Sequence, residues 1–212
     1  MKHPEPALER YCRLVAAADV SVTGLRSVDA IRAELVDDAL AARPLIGDAL
    51  PGRTIDVGSG NGSPGIPLAL VYDAPVTLLD AVARKVRFME RVAGELGLAA
   101  TVVAERSETY ARGDGRDRFD LALARALAPP PVAVELCLPL VRPGGRLILW
   151  TGRVRPELLE PVCALLSAGI GRTHLAGGRM LLEILKHGPT PDRFPRRPGM
   201  AGKRPLASLP SD

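Results

Sequence analysis

The chain has 212 residues, 47% of them apolar but only 3% aromatic, and a formal net charge of +4. That length makes one domain with at most a small appendage, and its core must be filled by Leu, Val and Ala. The N-terminus, MKHPEPALER, holds no apolar stretch that could act as a signal, and no run of about 18 uncharged apolar residues follows, so a cytoplasmic protein without membrane contact is expected.

In chain order, helices are predicted over 7–18 and 28–42. Leu8, Tyr11, Cys12 and Val15 recur at helical spacing, as do Val28, Ile31, Leu35 and Val36. A buried strand at 53–57 leads into a glycine loop and a helix at 67–72. VTLLD (76–80) is a second strand, and 83–97 is a helix with Val86, Phe88, Met89, Val92 and Leu96 on its apolar side and Gly97 as its stop. Strands follow at 100–106 and 119–127, then a helix at 132–140, a tight turn at RPGG and a strand at 146–150. A helix at 156–168 precedes a hairpin formed by RTHLAG and the strand 179–186. Strands alternating with helices predict an α/β fold: a doubly wound, mostly parallel Rossmann-like sheet ending in a C-terminal antiparallel hairpin. The organisation expected is a helical segment at 1–50, a sheet domain at 51–188 and a basic Pro/Gly-rich tail at 189–212, lying on the surface or disordered. Cys12, Cys137 and Cys163 are far apart without metal-ligand spacing. They read as core thiols, and no metal site is expected.

The chemistry is concentrated in TIDVGSGNGSPGIPLALV (54–71). Ligands of open parallel sheets bind beyond the carboxyl ends of the strands, where the first loop enters its helix. Gly58, Gly60, Gly62 and Gly65 fall there, and a bare main chain lets a nucleotide approach closely. Asp80 ends the second strand, 22 residues after Gly58, where an acid can accept both hydroxyls of a ribose. Dehydrogenases and methyltransferases share that pattern. Asp56 separates them, because a carboxylate against the loop repels a pyrophosphate but attracts the ammonium and sulfonium of S-adenosylmethionine. The chain also has no room for a second mononucleotide unit, so methyltransferase is the reading. Ser107 and Glu108, just past the third strand, are placed for an adenine ring. Arg125, at the end of the fourth, is placed beside the methyl group.

With these residues in view, the sequence resembles the RsmG/GidB family of guanine-N7 methyltransferases of small-subunit (16S) ribosomal RNA. The matching stretches are IDVGSGNGSPGIPLAL, TLLDAVARKVRFMERVAGELGL, ERSETY, LARALA, ELCLPLVRPGGRLIL and FPRRPGMAGKRPL, in order from about 53 to 206. The resemblance implies the class I methyltransferase fold, S-adenosylmethionine as cofactor, and contacts to it at Gly58, Ser63, Ser107, Glu108 and Arg125. The chain departs from the family in a shortened N-terminus, in SVTG (21–24), around Glu34 and Asp38, and at Thr151, where the family often carries a lysine. A guanine N7 carries a lone pair and no proton, so its attack on the methyl needs no general base. Arg125 is accordingly a positioning cation rather than a base, since guanidinium does not deprotonate in proteins. Arg193, Arg196, Arg197, Lys203 and Arg204 lie in the tail with no acid among them from 193 to 204, and phosphate contact is expected there. The expected partner is the small-subunit RNA or its ribosomal particle, with no obligate protein partner. Two other readings stay open from sequence: a non-catalytic or weakly active RNA-binding relative, and a small-molecule methyltransferase.

Overall fold

Thr54–Val57 is buried at every position, as a central parallel strand must be when helices cover both faces of its sheet. The computed structural model, which describes residues 4–18, 23–152 and 154–207, builds outward from that strand. Seven strands form one sheet: β1 (Thr54–Val57), β2 (Val76–Leu79), β3 (Ala100–Val103), β4 (Phe119–Arg125), β5 (Val141–Thr151), β6 (Ala168–Ala176) and β7 (Arg179–Lys186). Their order is β3-β2-β1-β4-β5-β7-β6. The four pairings among β1 to β5 are parallel, and β7 inserts antiparallel between β5 and β6. The predicted mostly parallel sheet with a terminal hairpin is therefore the observed one.

The sheet reverses strand order between β1 and β4, which puts the loop after β1 at the crevice. One face is covered by α1 (Glu5–Ala16), α5 (Gly65–Tyr72) and α6 (Ala83–Leu96), which share a core containing Tyr11, Ile31, Ile66, Leu78 and Met89. The other is covered by α8 (Pro130–Cys137), with the short α7 (Ser107–Tyr110) against it, and α9 (Glu160–Leu165), packed on Ile55, Leu149 and Leu182. All three cysteines are buried and free. Burial pushes the Cys163 thiol up to about 12. Among the described residues no helix is long and apolar enough to cross a membrane.

Several boundaries differ from expectation. The predicted helix at 28–42 is broken into α2 (Val28–Ile31), a π-helical stretch (Arg32–Asp37) and α3 (Asp38–Leu40), followed by α4 (Arg43–Ile46). Apolar periodicity reports the buried face but not the hydrogen-bond spacing, so the bulge is invisible to it. RPGG is not a turn but the beginning of β5: Val141 pairs with Phe119, and a register shift follows before Leu121 meets Arg146. β4 stops at Arg125 because Ala126 adopts φ +51.

The largest correction is the tail. It neither lies loose on the surface nor lacks a helix: Met200–Lys203 forms α10, and Phe194 and Ala201 are each 3% exposed. Arg116 donates to the carbonyls of Phe194 (2.8 Å) and Thr190 (2.7 Å), and Arg112 to that of Pro195 (3.0 Å). Arg196 makes a bidentate pair with the buried Glu135 of α8, both contacts at 2.6 Å. Composition predicted a solvated segment, but specific tethers from elsewhere in the chain override it. Residues 208–212 of the predicted tail, and Ser21 and Val22 of SVTG, lie outside the described residues.

Candidate active site

The turn after β1 is held by its own backbone. Gly58 and Ser59 both donate to the carbonyl of Leu79, at 2.7 and 3.1 Å. Gly58 sits at φ +72, a conformation that favours glycine, and a Cβ there would lie 2.5 Å from the mobile tip of Leu127, Cδ1. The loop enters α5 at Gly65, whose N–H donates to Asp56 Oδ2 at 3.0 Å. A Cβ on Gly65 would stand 2.9 Å from the Asp56 side chain, so helix and strand can meet only with glycine here.

Asp56 is 1% exposed, and its other oxygen, Oδ1, has no hydrogen-bond partner among the described residues. Burial pushes its carboxyl up to about 7, against the opposing pull of the Gly65 N–H and of Arg125. Because the folded pKa lies above the unfolded value, the stabilisation is present below pH 3.8 and is lost as pH rises toward 7. Asp56→Asn should therefore gain stability on the wild type over that window, at up to about 1.4 kcal/mol per pH unit. Paired denaturant titrations between those limits check it; parallel stability curves for the two proteins would contradict the assignment.

Beside the loop lies a cavity of about 350 Å³, walled by Val57, Gly58, Asp80, Lys85, the segment 105–108, Ala126, Leu127, Val132 and Leu136. Asp80 is held rigid: Oδ2 accepts from Gly60 N (3.1 Å), Oδ1 from Val82 N (2.8 Å), and Lys85 Nζ stands 3.7 Å away. Glu108 is 6% exposed, and its Oε1 accepts from Gly199 N at 2.8 Å. Gly199, Ala201 and Gly202 supply the last wall, so the tail closes the cavity that the glycine loop opens. No sequence pattern placed the tail here. Phe194, an isolated large apolar residue in a polar segment, was the only signal that it packs.

A second cavity, of about 330 Å³, shares Ala126 with the first and is lined by residues 23–25, Glu34, Leu35, Arg125 and Arg179. Arg125 donates from Nη1 to the Glu34 carbonyl (2.8 Å) and to Asp38 Oδ2 (3.0 Å), which locks it against the π-helical stretch. Ala126, a non-glycine residue at positive φ, stands where the two spaces meet. Backbone held in such a region costs on the order of 1–3 kcal/mol and persists where surrounding structure enforces it.

The predicted residues thus divide. Gly58, Asp80, Ser107 and Glu108 line the first cavity; Arg125 lines the second instead. Ser63, Gly60 and Asp56 line neither. Ser63 donates from Oγ to the Leu35 carbonyl at 2.7 Å, tying the loop to the π-helical stretch, and Tyr11 OH braces the Asn61 carbonyl at 3.1 Å. The N-terminal helices therefore buttress the loop, a role that loop sequence alone does not reveal. In the tail, Arg193, Arg197, Lys203 and Arg204 are exposed, whereas the Arg196 guanidinium is engaged by Glu135 and is not free for phosphate.

The groups present fit S-adenosylmethionine. Bare main chain at Gly58, the acids Asp80 and Glu108 on the wall and the unpartnered Asp56 oxygen beneath the loop suit a cation bearing a ribose and no phosphate. Among solved structures the fold is similar to MtNAS in complex with MTA and tNA (TM-score 0.59, 18% identity, 85% of this chain and 70% of that one). It is also similar to the O-methyltransferase NcsB1 (TM-score 0.54, 16% identity, 64% and 49%). Among curated proteins, the ribosomal RNA small subunit methyltransferase G of Thermotoga neapolitana is 38% identical over 93% of this chain and 89% of its own length. The protein of the same name from Geobacillus thermodenitrificans is 36% identical over 74% and 71%. The family model GidB, described as rRNA small subunit methyltransferase G, matches residues 5–162. The chain belongs to that family and is a methyltransferase whose cofactor is S-adenosylmethionine.

Proposed function

We propose that the protein methylates N7 of a guanine in small-subunit (16S) ribosomal RNA, acting in the cytoplasm on that RNA or its ribosomal particle. The observation that carries this reading is the pair of cavities meeting at Ala126, one fitted to the cofactor and the other open for a base. The relatives' names supply the RNA. When bound, the cofactor supplies an electrophilic methyl on a sulfonium. Asp80 accepts from the ribose hydroxyls, Gly58 offers its main chain, and Ser107 and Glu108 border the adenine. Arg125, fixed by Glu34 and Asp38, presents its remaining N–H groups to the incoming base. N7 has an in-plane lone pair and no proton, so the chain has only to align it with the methyl. Alignment of that kind contributes about 7 kcal/mol or more in favourable cases. Arg193, Arg197, Lys203 and Arg204 hold RNA phosphates, each steepening the salt dependence of binding.

Placing 7-deazaguanosine at the acceptor position of reconstituted small subunits removes the attacking atom. Methyl transfer should vanish while binding to the particle persists; continued transfer would overturn the N7 assignment.

A further inference from the structure

N7 is common to guanine and adenine, so an enzyme aligning only N7 cannot tell the purines apart. The second cavity contains a group that can. Along its helical wall, Asp37 is paired with Arg32 (3.0 Å), and Asp38 with both Arg125 (3.0 Å) and Arg179 (3.3 Å). Glu34 is exposed and lines the same cavity, and its carboxylate has no ion-pair or hydrogen-bond partner among the described residues. An unpaired acid facing a polyanionic substrate is repelled by its phosphates, and a contact to donors on the base would offset that repulsion.

We infer that Glu34 selects guanine by accepting from its Watson–Crick edge, a specificity-determining role that rests on the N7 reading above. A guanine whose N7 is directed toward the cofactor cavity, past Ala126, turns its N1–H and N2 amino group away from that cavity. Glu34 stands on the wall supplied by the N-terminal segment, where two carboxylate oxygens match those two adjacent donors. Adenine presents an N1 lone pair and no N2 amine there, which the carboxylate repels. The π-helical stretch fixes the residue, because the Glu34 carbonyl is the one held by Arg125 at 2.8 Å. Arg125 and Arg179 remain beside it as donors for the O6 side of the base. Glu34 abstracts no proton, since N7 carries none.

The test uses unmethylated small subunits, with guanosine or inosine at the acceptor position, inosine lacking only the N2 amine. Glu34→Ala and Glu34→Gln should each lower kcat/KM on guanosine by about 10- to 100-fold with cofactor affinity unchanged. The wild type should discriminate against inosine by roughly tenfold, and Glu34→Ala should treat the two bases alike. A merely structural role would lower both rates together and leave the discrimination intact, which would overturn the inference. So would wild-type kcat/KM in Glu34→Ala. If instead the wild type places its methyl on an atom other than guanine N7, the reading beneath the inference fails, a result the position of the label reports separately.

Discussion

Gly58→Asp is expected to lose cofactor binding almost entirely, with S-adenosylmethionine affinity falling on the order of 100-fold or more, about 3 kcal/mol. Three effects add at one position. The backbone sits at φ +72, which a side chain rarely adopts, so the loop must shift or accept strain. The new Cβ would meet Leu127 at 2.5 Å, and Leu127 itself lines the cavity, so any relief intrudes on the cofactor. The side chain itself would also fill the space in which the cofactor packs against bare main chain. The fold should survive, because the affected contacts are at the mouth of the sheet and Leu127 can rotate. Calorimetric titration, with circular dichroism as the folding control, checks both halves. Near-wild-type affinity in a folded variant would remove the loop from the cofactor site.

Arg196→Ala should be the most disruptive change outside the loop. Glu135 is 1% exposed and takes both guanidinium contacts. Stranding a buried carboxylate costs about 3–5 kcal/mol, and the chain can avoid that cost by letting the tail go. Release would also break the Gly199–Glu108 bond and remove the wall formed by Gly199, Ala201 and Gly202. The expected outcome is rapid tryptic cleavage after Arg193 and Lys203 together with weakened cofactor binding. Glu135→Gln combined with Arg196→Ala should restore part of the lost stability, because no charge is then stranded. Equal protease resistance in wild type and Arg196→Ala would show that the other tethers suffice and that this pair is dispensable.

The sequence made the sheet legible because each strand is a short apolar run between helical periods and turn signals. The glycine loop was legible for a different reason: several glycines beside Asp56 satisfy no ordinary strand-to-helix turn. Positions that depend on distant partners were not legible. Ser63 was a cofactor contact by family resemblance alone, yet its hydroxyl is taken by Leu35, 28 residues earlier. Arg196 looked like a free cation among others, yet Glu135, 61 residues away, claims it. The tail shows the same limit most clearly, since Pro, Gly and Arg content describes local preference and says nothing about tethers such as Arg112, Arg116 and Asp117. The second cavity is assembled from the N-terminal segment, the end of β4 and the hairpin, and no local pattern joins those three.

Transfer of labelled methyl from S-adenosylmethionine to small subunits lacking the modification, followed by digestion and separation of the nucleosides, tests the central claim most directly. The account predicts that the label is recovered as 7-methylguanosine alone. Label on a ribose, on an exocyclic amine or on adenine, or no transfer by a protein that binds the cofactor, would contradict it.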